Sequence, residues 1–287
     1  MKNIKINSYC KINLSLRVLK KLKNGFHNIK SLITFCDLSD VILVSKNKGL
    51  KDKISFSGNF KKGIDIKKNT ITKLLNLLRK RKLLKKASFK INIKKNIPHG
   101  SGLGGGSSNA ATMLNCLNLN MKLKLNKKKI LDLANQIGFD VPVSLERKNV
   151  LLIGKKSKLY RFKKNFRLNI LIVYPNIVCS TKKIYSRNKK FSAKKTYPNF
   201  NNISKRKLIN FLKEEKNDLE KVVEKIYPKI KEVIKYINFQ KGCYFSRITG
   251  SGSACFGIFS NMKQAIRAQK MIKLKYPKYW SVVSKTI

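Results

Sequence analysis

The pattern of apolar and polar positions changes along the chain, and each pattern predicts a type of element. Residues 4–18 alternate between apolar and polar side chains. A period of two is typical of a strand with one buried face. The polar face of this strand carries Lys11, Asn13, Ser15 and Arg17. Further apolar or alternating runs predict strands at 41–45, 54–57, 87–94, 168–174, 255–259 and 280–284.

Apolar residues spaced three and four positions apart predict amphipathic helices. They occur at 69–84, 110–121, 125–137, 204–213, 217–236 and 261–275. Gly138 is a typical end for the third of these helices. Residues 187–203 are polar and basic, with few apolar side chains, so we expect a mobile loop there.

The composition is that of a globular protein. With 287 residues and 42% hydrophobic content, the chain can form one large domain or two modest ones. It has neither an apolar run of about eighteen residues nor a signal-peptide pattern, so we expect a soluble, cytoplasmic protein without a membrane partner. The six cysteines form no C-x-x-C pair, and His27 and His99 are the two histidines. We therefore expect reduced thiols and no zinc site.

The formal net charge of +53 invites a different interpretation. Basic surfaces attract phosphate backbones, so the charge could indicate nucleic-acid binding. The lysines, however, are spread over every segment, and Asn and Ile, which share A/T-rich codons with Lys, are also abundant. A biased composition explains this better than a dedicated nucleic-acid partner. The same charge would speed the capture of anionic substrates.

The strongest chemical signal is a glycine-rich run that leads directly into a helix: Pro98, His99, Gly100, Ser101, Gly102, Leu103, Gly104, Gly105, Gly106, Ser107 and Ser108. Glycines at this density allow positive φ and bring backbone N–H groups close to a ligand. We expect Ser107 and Ser108 to lie at the helix N-cap. Unpaired N–H groups and the helix dipole make such a loop an anion site. The run therefore predicts a cradle for the phosphates of a nucleotide.

Other phosphate-binding loops fit this run less well. The alternating glycines satisfy G-x-G-x-x-G, but no acid lies between Gly105 and Asp132 to bind the ribose of a dinucleotide. The loop has no lysine for a Walker motif, and the chain lacks the H-R-D and D-F-G of protein kinases. A flexible linker is disfavoured by Leu103 and by the apolar helix that follows.

Spelled Pro-x-Gly-x-Gly-Leu-Gly-Gly-Gly-Ser-Ser-Asn-Ala-Ala, residues 98–111 resemble the central motif of the GHMP small-molecule kinases. Tyr-Cys-Lys-Ile-Asn-Leu at 9–14, Gly-Phe-Asp-Val-Pro at 138–142 and Thr-Gly-Ser-Gly-Ser at 249–253 resemble other motifs of that family, in the same order. Gly-Phe-His at 25–27 favours the branch that phosphorylates a diphosphocytidyl-linked polyol. Together these motifs span nearly the whole chain.

This resemblance implies an α+β fold of two domains, with an active-site cleft between them. The N-terminal, ATP-binding domain is expected at 1–155 and the C-terminal domain at 156–287. The implied activity is a kinase that uses ATP and Mg²⁺ to phosphorylate a small-molecule substrate, the C2 hydroxyl of diphosphocytidyl-linked methylerythritol, in the non-mevalonate isoprenoid route. Alternatives are another GHMP kinase, or a basic nucleic-acid-binding protein on a decayed kinase scaffold. Monomer and homodimer both remain open.

The resemblance also implies roles for single residues. Asp140 is expected to take the proton of the substrate hydroxyl, and Lys11 beside it to favour the ionised carboxylate. Phe26 and Tyr185 are expected to sandwich the cytosine, and His27 to hydrogen-bond its edge. The full set of implied substrate-binding residues is Asn13, Phe26, His27, Thr181, Tyr185, Gly250, Ser251 and Gly252.

Without the resemblance, plainer interpretations remain for these residues. Asp140 could cap a helix beginning near Pro142, and His27 could be a bystander in a turn. Residues 179–185 could be an ordinary helix start, and residues 249–253 a tight turn between strands. The chain also departs from the family in three places. Cys10 and Phe139 replace small residues, and 153–159 lacks the acid of the family's Gly-x-Gly-Glu.

Overall fold

A computed structural model describes residues 3–23, 25–154 and 158–287. In chain order the elements are β1 (Ile4–Lys21), β2 (His27–Lys46), β3 (Lys53–Ser57), α1 (Thr70–Lys80), β4 (Phe89–Lys94), α2 (Gly105–Asn120), α3 (Lys127–Ile137), α4 (Val141–Ser144), β5 (Val150–Ile153), β6 (Lys158–Arg161), β7 (Asn169–Tyr174), α5 (Thr181–Arg187), α6 (Lys205–Glu214), α7 (Glu220–Ile226), α8 (Pro228–Asn238), β8 (Cys243–Ile248), β9 (Cys255–Phe259), α9 (Met262–Lys275) and β10 (Trp280–Lys285). The mixture of helices and strands confirms the predicted α+β class.

The chain forms two compact units that are interleaved along the sequence. Unit 1 contains the described residues of 1–11, 38–99 and 104–147, and unit 2 those of 12–37, 100–103 and 148–287. The long strands β1 and β2 pair with each other and contribute residues to both units. The predicted division at residue 155 concerns family domains rather than these units, and it stays a prediction.

Unit 1 packs helices against a small mixed sheet. Strand β4 runs parallel to β3 and antiparallel to the second half of β2, with Val41 opposite Lys94 and Lys46 opposite Phe89. Helices α1, α2 and α3 contact one another and bury their apolar stripes. The core that results includes Ile42, Leu74, Leu78, Phe89, Ile91, Leu114, Leu117 and Leu133.

Unit 2 is built on an antiparallel sheet in the order β10-β7-β9-β8. Helices α8 and α9 contact this sheet and bury apolar residues against it. The first half of β2 pairs with β5, and β5 with β6. The core of this unit includes Leu16, Leu171, Val173, Val233, Ile237, Ile248, Phe259 and Ile272.

Most predicted elements are confirmed to within a few residues, but three expectations are wrong and some strands were not predicted. The polar face of β1 is buried, as Lys11, Asn13 and Ser15 show. Strands β5 and β6 were not predicted. The helix expected at 217–236 is two helices, because Pro228 cannot continue a helix and begins α8 instead. Helix α2 begins at Gly105, so Ser107 and Ser108 lie inside its first turn rather than at its N-cap.

The stretch 188–204 is irregular, as predicted, but it is anchored rather than detached. Phe200 and Ile203 are buried, and the Tyr197 hydroxyl donates to Glu215 Oε2 at 2.8 Å. No helix in the described part of the chain combines the length and apolarity that crossing a membrane requires. No disulfide joins the cysteines of the described chain.

Candidate active site

Unit 1 places Lys11, Asp140 and the second half of the glycine loop together. Lys11 Nζ lies 3.3 Å from Asp140 Oδ2, and the aliphatic part of Lys11 lies against Gly104. A Cβ atom at position 104 would come within 2.7 Å of Lys11 Cγ, and the backbone there has a φ of +71°. Only glycine allows both the close approach of Lys11 and this positive φ. The loop, the ammonium and the carboxylate therefore form one contiguous group.

The surroundings of the ion pair are asymmetric. The Lys11 side chain is 4% exposed and the Asp140 side chain 43% exposed. Asp140 occupies the N-cap position of α4, but its side chain makes no capping hydrogen bond. The capping interpretation is therefore not supported, because the carboxylate pairs with Lys11 instead. A carboxylate that is reachable from solvent and held by a buried cation can accept a proton from a bound hydroxyl.

The first turn of α2 is the part of the loop best suited to an anion. Its N-cap is Gly104, which provides no side-chain hydrogen bond to the first-turn N–H groups. Ser108 Oγ donates to Ser144 Oγ at 3.2 Å, and Ser144 Oγ donates to the carbonyl of Asp140 at 3.1 Å. These two bonds tie the start of α2 to the segment that carries Asp140. The helix dipole and the uncapped N–H groups favour negative charge here.

A buried cluster in unit 1 that the sequence analysis missed holds both flanks of the loop. Asp40 Oδ1 accepts from the backbone N–H groups of Asn96 and Ile97 at 2.8 and 2.9 Å. Its Oδ2 accepts from Lys95 Nζ and, at 3.0 Å, from Asn109 Nδ2 on α2. Asp40 thus fixes the chain that enters the loop to the helix that leaves it. The available signal was an acid beside a predicted strand in a chain with few acids.

Other loop residues of unit 1 make contacts of their own. His99 is exposed, and its Nε2 lies 3.0 Å from the carbonyl of Lys62. The carbonyl of Gly106 accepts from Thr70 Oγ1 at 2.7 Å. Gly105 packs against Ile97. The ends of the loop are therefore held by backbone and side-chain contacts, whereas contact with ATP stays a prediction.

Unit 2 contains residues 100–103 of the loop and the turn at 249–252. The carbonyl of Ser101 accepts from the Ala254 N–H at 3.0 Å, and Leu103 is fully buried. A Cβ atom at Gly102, where φ is +83°, would collide with the carbonyl oxygen of Thr249. Residues 100–103 of the glycine loop therefore pack against the turn at 249–252.

Asn13 and Thr181 are linked to the same turn. The backbone N–H of Asn13 donates to Thr249 Oγ1 at 3.0 Å, and its Nδ2 donates to Ser31 Oγ at 2.8 Å. Thr181 Oγ1 and Ser251 Oγ are 2.9 Å apart. Gly250 and Gly252 flank Ser251 with φ of +57° and +77°. Five of the predicted substrate-binding residues thus lie together at this turn: Asn13, Thr181, Gly250, Ser251 and Gly252.

His27 lies beside two aromatic rings of unit 2. The centroid of its ring is 5.1 Å from that of Tyr185 and 6.5 Å from that of Phe191. Burial lowers the pKa of the His27 imidazole, and the charge of Lys21 acts in the same direction. Its Nε2 is buried, with no hydrogen-bond partner among the described residues. A neutral imidazole with an unused nitrogen is suited to recognise the edge of a polar ring.

The sequence analysis missed Phe191, which lay in the stretch expected to be mobile. Phe26 is half exposed, and its predicted sandwich with Tyr185 stays a prediction. Residues 155–157, in the segment that departs from the family pattern, lie outside the described residues.

Two family models match the chain. The model of the GHMP kinases N terminal domain matches residues 69–147, and that of the GHMP kinases C terminal matches residues 198–278. The first match contains the glycine loop and Asp140, and the second contains the turn at 249–252. The fold and the site thus define an ATP-dependent phosphotransferase of the GHMP kinase class.

Individual relatives narrow this class. A 4-diphosphocytidyl-2-C-methyl-D-erythritol kinase of Pelagibacter ubique is 40% identical over 289 residues, covering 100% of both chains. One from Caldanaerobacter subterraneus is 33% identical and covers 99% of this chain and 97% of its own. A crystal structure of 4-(cytidine 5'-diphospho)-2C-methyl-D-erythritol kinase superimposes with a TM-score of 0.77 at 21% identity, covering 98% and 99% of the two chains, and supports the fold. The chain belongs to the 4-diphosphocytidyl-2-C-methyl-D-erythritol kinase family.

Proposed function

We propose that the protein transfers the terminal phosphoryl group of ATP to the C2 hydroxyl of 4-diphosphocytidyl-2-C-methyl-D-erythritol, giving the 2-phosphate and ADP in the non-mevalonate route to isopentenyl diphosphate. The observation that carries the proposal is the Lys11–Asp140 pair held against Gly104. The substrate is supported by the full-length relative that carries this activity in its name. The relatives do not favour another GHMP kinase or a nucleic-acid-binding protein.

The proposed reaction assigns Asp140 the hydroxyl proton. As the substrate oxygen forms its bond to the terminal phosphorus, the bond from that phosphorus to the bridging oxygen of ADP breaks and the proton passes to the Asp140 carboxylate. Lys11 orients this carboxylate through the 3.3 Å contact and stabilises its negative charge. Phosphoryl transfer needs little more than positioning and charge stabilisation from a protein, and this arrangement supplies both.

The phosphates of ATP are assigned to the loop from Pro98 to Ser108. The backbone N–H groups at the start of α2 donate to them, and Gly104 leaves the space that Lys11 fills. The described residues contain no cluster of three or more potential metal ligands. Mg²⁺ does not need such a cluster, because nucleotide enzymes typically hold it through substrate phosphates and one or two carboxylates. When bound together with ATP, the ion would neutralise phosphate charge, while Asp140 keeps its assigned role towards the hydroxyl proton.

The cytidyl group is assigned to His27 and its aromatic neighbours. Tyr185 provides a ring for stacking, and the unused Nε2 of His27 provides a hydrogen bond to the base. Asn13, Thr181 and the turn at 250–252 are assigned to the rest of the substrate. For the family domains we propose a boundary near residue 155, because the two matched regions end at 147 and begin at 198.

The same proposal includes a cytoplasmic location and no dedicated nucleic-acid partner. Free thiols and the use of ATP support the location. The scattered distribution of lysines supports the absence of a dedicated nucleic-acid surface. The proposed function is equally compatible with a monomer and with a homodimer.

The test is turnover by the purified protein with ATP and Mg²⁺, followed by coupled ADP release. We expect turnover with 4-diphosphocytidyl-2-C-methyl-D-erythritol and at most about 1% of its kcat/KM with homoserine, mevalonate or galactose, since unpaired polar groups reject poorly matched substrates. Preference for one of those alcohols would refute the substrate assignment while leaving the kinase class intact.

A further inference from the structure

The segment between α6 and α7 contacts two parts of the proposed site. Asn217 in this segment is 4% exposed, and its side-chain amide is fully used. Its Nδ2 donates to the carbonyls of Ile248 at 3.2 Å and Gly250 at 2.8 Å, and its Oδ1 accepts from the Leu219 N–H at 3.0 Å. One buried side chain thus holds the strand end and the glycine turn that follows it.

Glu220, the first residue of α7, is bound to the same strand end. Its Oε2 accepts from the Ile248 N–H at 2.8 Å. Ile248 therefore has its N–H bound by Glu220 and its carbonyl bound by Asn217. The last residue of β8 is fixed in orientation by two side chains that are three positions apart in sequence.

The same segment is also paired with β1. The Leu16 N–H donates to the carbonyl of Lys216 at 3.0 Å, and the Asp218 N–H donates to the carbonyl of Leu16 at 2.8 Å. Asp218 Oδ2 accepts from the Val18 N–H at 2.8 Å. Residues 216–218 therefore act as a short extra strand along the part of β1 that continues from Asn13.

These contacts converge on the turn at 249–252. Thr249 is hydrogen-bonded to Asn13, and Ser251 is hydrogen-bonded to Thr181. Gly102 packs closely against the backbone of this turn. All of these residues belong to unit 2. Asn217 and Glu220 therefore fix the backbone that enters this turn, at Ile248, and Asn217 also fixes the turn itself at Gly250.

We propose that Asn217 and Glu220 are positioning residues for phosphoryl transfer, which set the turn at 249–252 relative to β1 so that Gly102, Asn13 and Thr181 reach their working positions. The inference rests on the proposed function. Displacement of reacting groups by about 1 Å can lower a rate about 100-fold, so loss of either side chain should act on kcat.

The kinetic test compares variants that keep or lose each bond. Asn217→Ala should lower kcat about 10-fold to 100-fold while changing the KM for ATP less than about threefold. Glu220→Leu, which has no acceptor for the Ile248 N–H, should behave alike, whereas Glu220→Gln keeps an acceptor and should restore most of kcat. Asn149→Ala is the matched control, because Asn149 is 2% exposed and its Nδ2 donates to the carbonyl of Lys164 at 2.7 Å elsewhere in unit 2.

A second readout does not depend on turnover. Amide hydrogen exchange over 249–254 and 100–103 should be faster in folded Asn217→Ala than in wild type, and unchanged over these peptides in Asn149→Ala. Unchanged exchange there in Asn217→Ala would overturn the positioning inference, as would an unchanged kcat in both Asn217→Ala and Glu220→Leu. A wild-type protein that does not phosphorylate the cytidyl alcohol would refute the proposed function instead, and the exchange measurement would still show whether Asn217 fixes the turn.

Discussion

The importance of Lys11 is visible in the structure but not in the sequence alone. In a chain with 66 Lys and Arg residues, a lysine on a strand predicts nothing by itself. In the structure it is buried against Gly104 and paired with Asp140. Burying an ammonium is costly unless a partner compensates it, so its position indicates a role that a surface lysine does not have.

The contact between Lys11 and Gly104 gives a prediction for Gly104→Ala. The new methyl group would lie 2.7 Å from Lys11 Cγ and would also be strained by the positive φ. We expect a loss of kcat of about 10-fold or more, because Lys11 must move away from Asp140. Steady-state kinetics and thermal unfolding of the purified variant measure the two effects.

Gly63→Ala is the control for this substitution. Gly63 also has a positive φ of +79°, but a Cβ atom there would meet His99 at an ordinary distance of 3.5 Å. Both variants therefore carry the backbone penalty of about 1–2 kcal/mol, and only Gly104→Ala adds the clash. Equal kcat values in the two variants would show that Gly104 does not position Lys11.

The aromatic residues near His27 give a second prediction at this scale. Tyr185→Ala and Phe26→Ala should raise the KM for the cytidyl substrate about 10-fold and that for ATP less than about twofold, because stacking on a base is worth about 1–3 kcal/mol. Phe239→Ala is a suitable control, since Phe239 is 84% exposed in unit 2. Equal changes in both KM values would remove these rings from the cytosine site.

At the scale of elements, the contribution of Glu220 at the start of α7 to folding stability depends on pH. Burial raises its pKa to about 7 from 4.5, against the opposing effects of the Ile248 N–H and Arg247, while Glu224 adds to the rise. Between about pH 4.5 and 7 the folded protein keeps a proton that the unfolded chain has lost. The contribution of this residue to stability therefore falls as the pH rises through that window.

The prediction is a difference between wild type and Glu220→Gln. The free energy of unfolding in urea should fall more for wild type than for the variant between about pH 4.5 and 7, and the two should run parallel above about pH 8. Glu232→Gln, at an exposed acid on α8, should follow wild type. Parallel curves for wild type and Glu220→Gln across the whole range would contradict the raised pKa.

How much the sequence reveals differs from element to element. The period of the apolar residues predicted α1, α3 and α9 closely, because each of these helices buries one face against a core. A continuous apolar run predicted β7, which is buried on both faces. Periodicity could not show that the polar face of β1 is also buried. Burial there depends on partners such as Ser31 and Thr249, which lie 18 and 236 residues away from Asn13. The glycine loop could be recognised because its residues are contiguous in sequence. Asp140 was singled out only through its resemblance to a family motif, and its role stays a prediction, whereas Asp40 had no such motif.

At the scale of the whole molecule, the net charge of +53 is the feature that local structure explains least. A strongly positive field raises the local concentration of anionic substrates, and salt screens it. Both ATP and the proposed acceptor are anions. The charge should therefore affect encounter rather than the chemical step.

This gives a prediction for ionic strength. Raising the salt from about 0.1 M to 1 M shortens the Debye length from about 10 Å to 3 Å, and kcat/KM should fall about 10-fold while kcat changes little. Steady-state kinetics at a fixed Mg²⁺ concentration measure both, with a neutral osmolyte at matched osmolarity as the control. A kcat/KM that does not depend on salt would show that the field has no part in capture.

The most direct test of the whole account is the turnover of Asp140→Asn with ATP, Mg²⁺ and 4-diphosphocytidyl-2-C-methyl-D-erythritol. We expect a kcat at least 100-fold below wild type, within the range of about 10²–10⁴ for loss of a general base, in a variant that circular dichroism shows to be folded. Asp132→Asn, at an exposed acid on α3, should retain wild-type activity. An Asp140→Asn variant with wild-type kcat would contradict the assignment of this carboxylate as the group that accepts the proton.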